Sequence, residues 1–377
     1  MGEFGYYIST LAVYFGIDLL AAWSLNMQYG YAGVINFSFI IFQAVGAYVA
    51  AAVSLGPSTG ANSYQHYIFG ANLPWPLPLI LAAAAGAVLS GVVGLFALRR
   101  IRRDYQAAVM LIVSLIALTV VSNDVGLFNG SNGLTDIPHP MMKALGLSLT
   151  DWSWVWVALV FAICVVVYFC VEKLCGSPWG RALRAMRDQE DAAASIGLNP
   201  TVLRLQVFVV GGAIAGLSGG LLVEFISAWS PGAWGYAETF VIFTALLIGG
   251  VGNNRGVIVG TFLVPILFLE LPSFLPSIGY PGLIDDFEWI IIGLLWMVGL
   301  LLRPRGILPE RRYIASRDGV GAVMLDTEQG FFGRLLSVGR GHPVQLELVH
   351  RRQSDEQASA APGAPREALT PEEVRVR

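Results

Sequence analysis

Charged residues are scarce in this chain. Asp, Glu, Lys and Arg make up 13% of its 377 residues, whereas ordinary soluble domains carry about 25%. Hydrophobic residues make up 55%, and the mean hydropathy is +0.64. The composition excludes an ordinary water-soluble globular protein and predicts a membrane protein.

Groups that could carry chemistry are also few. The chain has only two lysines, Lys143 and Lys173, neither lies in a glycine-rich loop, and no Gly-x-x-x-x-Gly-Lys-Ser/Thr sequence occurs. Since that sequence forms the phosphate-binding loop of many ATPases, ATP binding of this kind is excluded. The three cysteines lack zinc spacing and the four histidines are scattered. We therefore expect no metal site, no cofactor and no catalytic residue.

Acidic residues inside the apolar segments are equally rare. Asp18 lies within one of them, and Glu224 and Glu270 lie near the ends of two others. Ion-coupled carriers usually place acidic residues at mid-membrane. An ion-coupled secondary carrier is therefore an alternative from a different functional class, with Asp18 as its main support.

Nine apolar segments are long enough, or nearly so, to cross a bilayer, which takes about 20 residues. We predict an all-α, polytopic transmembrane helical bundle. The predicted spans are 5–27, 31–54, 77–98, 105–126, 152–172, 202–226, 237–252, 255–271 and 287–302.

The arginines predict how these spans are oriented. They concentrate in 99–103, 173–204 and 303–312, whereas the alternate loops carry mainly acidic residues. Cytoplasmic loops are enriched in Lys and Arg. We therefore predict that the N-terminus lies outside and the C-terminus inside.

The segment 237–271 is the least regular part of this pattern. Its two apolar halves are short, and glycines interrupt the helical pattern between them. Irregular backbone at membrane depth is tolerated only where protein or a water-filled cavity surrounds it. We predict a broken helix pair here.

Small residues recur at four-residue spacing in three of the predicted spans, the third with Gly256 and Gly260. Such residues let membrane helices approach closely, so we interpret them as packing positions. The other two sets are Gly86, Ser90 and Gly94 in one span and Gly212, Gly216 and Gly220 in another.

The segment 178–197 has the pattern of an amphipathic helix between two spans. Ser177 and Pro178 are typical of a helix start, and Gly197 is typical of a helix end. Trp179, Leu183 and Met186 recur at helical spacing. A solvated loop helix is one interpretation. The other is a stripe that docks on a soluble partner, because the chain has no soluble domain of its own to cover it.

Residue order favours the second interpretation. Asp191-Ala192-Ala193-x-x-x-Gly197 resembles the Glu-Ala-Ala-x-x-x-Gly motif of bacterial ABC importer permeases, and 180–190 resembles branched-chain amino acid permeases of the LivM type. Residues 29–48, 129–138, 247–254 and 303–308 are similar to the same family. The resemblance implies that these residues couple the chain to an ATPase: Trp179, Gly180, Arg181, Leu183, Met186, Asp188, Asp191, Ala192, Ala193 and Gly197.

The resemblance also implies an assembly. A LivH-like sister permease would complete the pathway, two cytoplasmic ATPase subunits would drive it, and an extracytoplasmic solute-binding protein would deliver the solute. The chain would lie in the lipid of a bacterial plasma (inner) membrane as a multi-pass protein, without nucleic acid. Branched-chain or related amino acids are the expected solutes; urea or short amides are the alternative, because similar permeases serve them.

Three polar residues in the second predicted span are candidates for the pathway. The family commonly has Ser-Leu-Gly-His or Asn-Phe-Ala-His where this chain has Asn36-Phe37-Ser38-Phe39, and Gln43 follows one turn later. Polar groups facing hydrocarbon are costly. We expect Asn36, Ser38 and Gln43 near the solute route, with helix packing as the rival explanation.

The composition changes after residue 312. Residues 313–377 mix Arg, Glu, Gln, Ser, Ala and Pro, with little apolar periodicity toward the end. Such a segment cannot bury enough apolar surface to offset its chain entropy. We predict a transmembrane permease domain over 1–312 and a mostly disordered cytoplasmic tail over 313–377.

Overall fold

The computed structural model describes residues 2–58, 64–100, 103–270 and 306–310, with positions 290, 293–294, 296–297, 301, 313–314 and 323–324. The chain divides into a unit of residues 1–326 and a unit of residues 327–377, and the described residues belong to the first. The segment 272–286 between the last two predicted spans, the predicted span 287–302 and the predicted tail 313–377 lie wholly or largely outside the described residues.

Helices dominate the described structure. In chain order they are α1 (Gly2–Leu25), α2 (Phe39–Ser54), α3 (Leu77–Arg100), α4 (Arg103–Asn123), α5 (Val125–Phe128), α6 (Met142–Leu145), α7 (Leu149–Gly176), α8 (Pro178–Asp188), α9 (Glu190–Ser195), α10 (Pro200–Ile226), α11 (Tyr236–Gly249) and α12 (Asn254–Thr261). Helix α1 continues as a π-helical segment over Asn26–Tyr31, and α12 over Phe262–Glu270. Two short strands, β1 (Tyr313–Ile314) and β2 (Val323–Met324), pair antiparallel.

Six of the described helices are long and apolar enough to cross a membrane: Phe4–Tyr31, Leu77–Leu98, Tyr105–Asn123, Leu149–Gly176, Pro200–Ile226 and Pro231–Gly249. Two shorter apolar helices, Phe39–Ser54 and Asn254–Ile266, occupy the places of two other predicted spans. The helical multi-pass architecture is therefore confirmed. The count of nine spans and the orientation of the termini stay predictions.

The predicted start of the second span at residue 31 is wrong. The chain leaves the helix after Tyr31, and Gly33 adopts a φ of +68°, which favours glycine. The side chain of Asn36 accepts a hydrogen bond from the backbone N–H of Ser38 at 3.0 Å, just before α2 begins at Phe39. At 1.5 Å per residue the helix is about 24 Å long, shorter than a hydrocarbon core of about 30 Å.

Helices α2, α3 and α10 pack closely at glycines. A Cβ atom placed on Gly86 would lie 2.2 Å from the carbonyl oxygen of Gly212, and one on Gly216 would lie 2.3 Å from that of Ala82. The packing role predicted for the small-residue pattern is confirmed for these positions. The pattern missed Gly46, whose added Cβ would lie 2.2 Å from the Gly216 oxygen.

The break predicted within 237–271 falls at residues 250–253. Gly250 and Gly252 adopt φ values of +126° and +78°, so the chain turns sharply between α11 and α12. The two helices then touch through backbone, since a Cβ on Gly260 would lie 1.9 Å from the oxygen of Ala245. A short apolar helix can therefore end inside protein contacts instead of lipid.

The loops gather at the two ends of the bundle. At one end, the hydroxyls of Ser9 and Ser153 lie 2.7 Å apart, and Leu134 forms a β-bridge with Trp229. At the other end, the 250–253 turn, the 306–310 segment and α8 contact one another around the π-helical segment. Which of these ends faces the cytoplasm rests on the arginine distribution.

Candidate functional site

The predicted apolar stripe of α8 faces the chain's own bundle. The side chains of Leu183 and Met186 are completely buried and belong to the main hydrophobic core. Trp179 is half-buried, and its indole N–H donates a hydrogen bond to Gln206 Oε1 on α10 at 2.9 Å. The prediction that the chain leaves this stripe uncovered is therefore wrong, because helical periodicity indicates a buried face without indicating what covers it.

Gly180 lets α8 fold back against the end of α7. A Cβ atom at this position would lie 2.1 Å from the carbonyl oxygen of Cys175, a backbone atom that cannot move aside cheaply. Ser177 precedes α8 as predicted, but its hydroxyl donates to the oxygen of Leu174 at 2.6 Å and does not cap the helix. Close contact at Gly180 fixes the angle between the membrane span and α8.

The prediction of one continuous helix over 178–197 is also wrong. Gln189 adopts φ −148° and ψ 99°, so the segment forms two helices, α8 and α9. Acidic residues at 190 and 191 fall in the first turn of α9, where the helix dipole favours negative charge. Glu190 then reaches Arg204 on α10 at 2.5 Å, and Ala193 is buried. Gly197 ends the segment with a φ of +90°, as predicted.

The opposite side of this α8–α9 segment (residues 178–197) is open. Among the residues predicted for coupling, Arg181, Asp188, Asp191, Ala192 and Gly197 are exposed there. Ala185 and Ile196 are exposed as well, and Ile196 retains 75% of its accessible surface. The surface is thus made of small, apolar and charged groups that the described part of the chain does not cover. We call it the exposed face of the α8–α9 segment.

Arg187 fastens α8 to two other parts of the chain. Its guanidinium donates to the carbonyl oxygen of Gly30 in the π-helical segment and to Glu310 Oε2 at 2.8 Å. It also contacts Asp188 Oδ1 at 3.1 Å. Burial alone would lower the pKa of Arg187, but Glu310 and Asp188 outweigh it and raise that pKa above its ordinary value. The arginine therefore stays charged and its ion pair persists.

Arg184 reinforces the same contact from the preceding turn of α8. Its guanidinium donates to the carbonyl oxygen of Cys175 at 2.8 Å and lies 5.4 Å from the ring centroid of Tyr31, within cation–π range. A second distance of 4.0 Å separates it from Glu310 Oε1. Arg184, Arg187 and Glu310 together form what we call the arginine clasp.

The π-helical segment connects the arginine clasp to α12 and α7. Asn26 donates to Asn254 Oδ1 at 2.9 Å and accepts from the backbone N–H of Gly252 at the same distance. Asn254 in turn donates to Glu172 Oε2 on α7 at 2.9 Å. A continuous set of polar contacts therefore runs from α8 to the turn of the broken helix pair.

Two of the three predicted pathway residues belong to a buried hydrogen-bond cluster. Asn36 and Ser38 have no exposed surface. The Asn36 amide donates to Gln28 Oε1 at 2.7 Å, and the Ser38 hydroxyl donates to Asn36 Oδ1 at 2.7 Å. These bonds hold the irregular link between α1 and α2, and a role of Asn36 and Ser38 in the solute route stays a prediction.

Gln43 lies apart from that cluster. It is 4% exposed and lines a cavity of about 210 Å³ between α1, α2, α10 and α11. The structure therefore does not bring the three predicted pathway residues to one place. Within the described residues, no group of three or more His, Cys, Asp or Glu side chains could hold a metal ion.

Sequence reasoning missed the arginine clasp and the Asn26–Asn254 pair. Arg184 and Arg187 fall outside the predicted apolar stripe. Their contacts with Tyr31, Gly30 and Glu310 join residues more than 100 positions apart along the chain. The available signal was the presence of isolated asparagines, Asn26 and Asn254, beside apolar runs. Buried amides need partners, so such residues predict contacts without identifying them.

The chain is similar to known permeases along most of its length. It is 28% identical to the probable branched-chain amino acid transport permease protein LivM of Methanocaldococcus jannaschii, over 81% of this chain and 94% of the relative. The high-affinity branched-chain amino acid transport system permease protein LivM of Escherichia coli K12 is 27% identical, over 81% and 70%. The corresponding LivH protein is 26% identical, over 76% and 91%. No solved structure matches the chain.

A family model supports the same relationship. The model described as the branched-chain amino acid transport system permease component matches residues 7–297. This range includes the α8–α9 segment, the π-helical segment and the broken helix pair. The chain therefore belongs to the branched-chain amino acid transport permease family.

Proposed function

We propose that this chain is a membrane-spanning subunit of a binding-protein-dependent ABC importer for branched-chain amino acids. Its relatives are named as permeases for these solutes. A LivH-like sister permease, two cytoplasmic ATPases and an extracytoplasmic binding protein complete the assembly in a bacterial inner membrane. The chain itself contributes translocation and no ATP hydrolysis.

The observation that carries this proposal is the α8–α9 segment, with an exposed face outward and the arginine clasp inward. A partner that moved the exposed face would pull on Gly30 and Glu310 through Arg187, because these groups are held by charge-assisted hydrogen bonds. Movement at Gly30 reaches both the start of α2 and the turn before α12. This is the arrangement needed to convert ATPase closure into motion of membrane helices.

The docking surface must be the exposed face, because Leu183 and Met186 are already covered. Replacing either residue with a charge would place that charge in the core, so loss of uptake there would report misfolding. Ala192 and Ile196 are exposed, and they lie within or beside the Asp-Ala-Ala-x-x-x-Gly motif. We assign ATPase contact to these residues together with Arg181, Ala185 and Asp188.

Ala192→Arg is expected to weaken association with the ATPase. A bulky charge at the centre of a docked surface should cost about 2 kcal/mol or more, as central interface residues do, which is roughly thirtyfold in affinity. Co-purification of the ATPase with the permease pair, together with ATP-dependent uptake, measures the effect. Ala71→Arg is the matched control, because Ala71 is exposed but far along the chain from α8 and α9. Normal ATPase binding by Ala192→Arg would contradict the assignment.

The predicted orientation has its own test. In a background with Cys164, Cys170 and Cys175 replaced by alanine, Asp188→Cys and Ala71→Cys should react differently with an impermeant thiol reagent. We expect Ala71→Cys to be labelled on intact cells and Asp188→Cys only after permeabilisation, because the arginine-rich loops are assigned to the cytoplasm. Labelling of Asp188→Cys from outside would reverse the topology. Both positions are exposed in this chain. The permease is expressed without the ATPase, which would otherwise cover Asp188, so accessibility does not bias the comparison.

A further inference from the structure

Asn254, the first residue of α12, links this helix to α1 and α7. Its side chain is buried and uses both of its polar atoms. Oδ1 accepts from the Asn26 amide, and Nδ2 donates to Glu172 Oε2, each at 2.9 Å. The backbone carbonyl oxygen of Asn254 accepts a third bond, from the Trp23 indole on α1 at 3.0 Å. One residue at the turn of the broken helix pair is therefore held by two other membrane helices.

The two ends of this set of hydrogen bonds fix the orientation of both amides. A backbone N–H can only donate, so Asn26 turns its oxygen toward Gly252 and its NH2 group toward Asn254. Asn254 must then accept with its own oxygen, which leaves its NH2 group facing the acceptor-only carboxylate of Glu172. All three bonds point the same way, and bonds aligned in this manner strengthen one another. We call Gly252, Asn26, Asn254 and Glu172 the hydrogen-bond chain.

The hydrogen-bond chain ends on the part of α7 that is joined to α8. Glu172 lies in the last two turns of α7. The close contact between Gly180 and the carbonyl oxygen of Cys175 fixes α8 to this same end. A displacement of α8 would therefore be passed to Glu172, and from Glu172 through Asn254 to the turn. This connection does not pass through the arginine clasp.

We propose that Asn254 and Glu172 are positioning residues for transport. They fix the turn of the broken helix pair to α7, so that motion of α8 reaches α11 and α12 as well as the π-helical segment. The inference rests on the proposed function and adds a second connection between the α8–α9 segment and the membrane helices. Both residues act through the turn, and neither is assigned a contact with the solute.

A thiol at the turn reports the position of the turn without requiring transport. Val251 is half-buried and packs against the main hydrophobic core, so Val251→Cys should react slowly while the turn is held in place. The reporter is introduced in the background with Cys164, Cys170 and Cys175 replaced by alanine. Its rate of reaction with N-ethylmaleimide is measured in the assembled importer, and uptake of L-leucine into proteoliposomes is measured in parallel.

Asn254→Asp is expected to break the hydrogen-bond chain at Glu172. Aspartate keeps the acceptor for Asn26, but it places a second carboxylate against Glu172 with no donor between the two. Losing a hydrogen bond to a charged group changes an equilibrium by roughly tenfold or more. The Val251→Cys reaction should therefore become about tenfold faster, and uptake of L-leucine should fall by a similar factor.

Adding Glu172→Gln to Asn254→Asp should reverse both effects. The glutamine NH2 group can donate to the new aspartate, so the bond is rebuilt with its donor and acceptor exchanged, and the pair keeps a single negative charge. We expect both measurements to return to within about threefold of the wild-type values, because the two substitutions compensate each other.

Asn199→Asp is the matched control for the charge change. Asn199 is exposed, lies at the same end of the bundle and caps α10 through its side-chain oxygen. Aspartate caps a helix about as well as asparagine does. This variant should therefore leave the Val251→Cys rate and the uptake of L-leucine unchanged.

Glu172→Ala decides the matter if Asn254→Asp does not fold. It removes the acceptor and leaves the buried NH2 group of Asn254 without a partner, so the Val251→Cys rate should rise roughly threefold or more. An unchanged rate in these variants would overturn the proposal, and so would a faster rate in Asn254→Asp that Glu172→Gln does not reverse.

Uptake separates a role in transport from a purely structural role. A reversible change in the Val251→Cys rate with unchanged uptake would mean that the two residues hold the turn without serving transport, contrary to the proposal. Uptake of L-leucine by the wild-type importer, measured separately, reports whether the proposed function itself fails. The thiol measurement still tests the hydrogen-bond chain in that case.

Discussion

Arg187→Ala is expected to leave the ATPase bound while solute uptake falls. Arg187 donates hydrogen bonds to both Gly30 and Glu310. Hydrogen bonds to charged groups are worth about 1.5–3 kcal/mol each. Losing one such hydrogen bond should lower the population of molecules in which α8 is joined to Gly30 and Glu310 by roughly 10- to 100-fold. Solute uptake into proteoliposomes is compared with ATPase co-purification and with the rate of ATP hydrolysis. We expect uptake to fall while co-purification is unchanged.

Two further variants make this result specific. Glu310→Gln should have a smaller effect, because Arg187 keeps its bond to the Gly30 carbonyl. Arg255→Ala is the control for loss of a cation at the same end of the bundle, since Arg255 is exposed and lies outside the arginine clasp. If Arg187→Ala transports normally, the arginine clasp is not needed for transport, and other contacts must couple the ATPase to the membrane helices. Loss of ATPase binding would instead place Arg187 in the docking surface.

Gly216→Leu is expected to prevent the bundle from forming. The α-carbon region of Gly216 meets both α2 and α3: Gly46 and Gly86 face it, and an added Cβ would lie 2.3 Å from the Ala82 oxygen. Overpacking usually costs about 1–3 kcal/mol, and the upper end or more applies here because the clash is with the backbone of α3 at Ala82 and Gly86. The yield of monodisperse protein in size-exclusion chromatography should fall at least severalfold.

Gly5→Leu is the matched control for that experiment. It adds the same side chain to another membrane helix, but an added Cβ on Gly5 has nothing within 4 Å. The control should therefore give wild-type yield and thermal stability. A monodisperse Gly216→Leu protein that melts at the wild-type temperature would show that α2, α3 and α10 do not need their close approach.

The predictions from sequence agree with the structure for features that depend on residues close together in the chain. Apolar runs identified the positions of eight helices, α1, α2, α3, α4, α7, α10, α11 and α12, because a lipid environment forces nearly every spanning residue to be apolar. The glycines at 250 and 252 predicted the break in the seventh and eighth segments, since positive φ values are strained for other residues. Gly197 predicted the end of α9 for the same reason.

The disagreements arise where distant residues decide the outcome. The pattern Trp179, Leu183 and Met186 indicated a buried face, but only the folded chain places its own bundle against that face. The helix predicted to be continuous breaks at Gln189, and Glu190 of α9 reaches Arg204 on α10. The partners of Arg187 could not be predicted from the sequence, because Gly30 and Glu310 lie more than 100 residues away along the chain.

By itself, then, the sequence determined the membrane class, the helix positions, the predicted orientation and the family resemblance. Each depends on composition, spacing or residue order within a short segment. The tertiary structure decided which side of the α8–α9 segment is open, that Asn36 and Ser38 belong to a buried hydrogen-bond cluster, and that Gln43 shares a cavity with Asp18 and Glu238. Those features depend on contacts between helices. Such contacts stabilise the fold only when side chains from distant parts of the chain meet, so a short sequence segment does not reveal them.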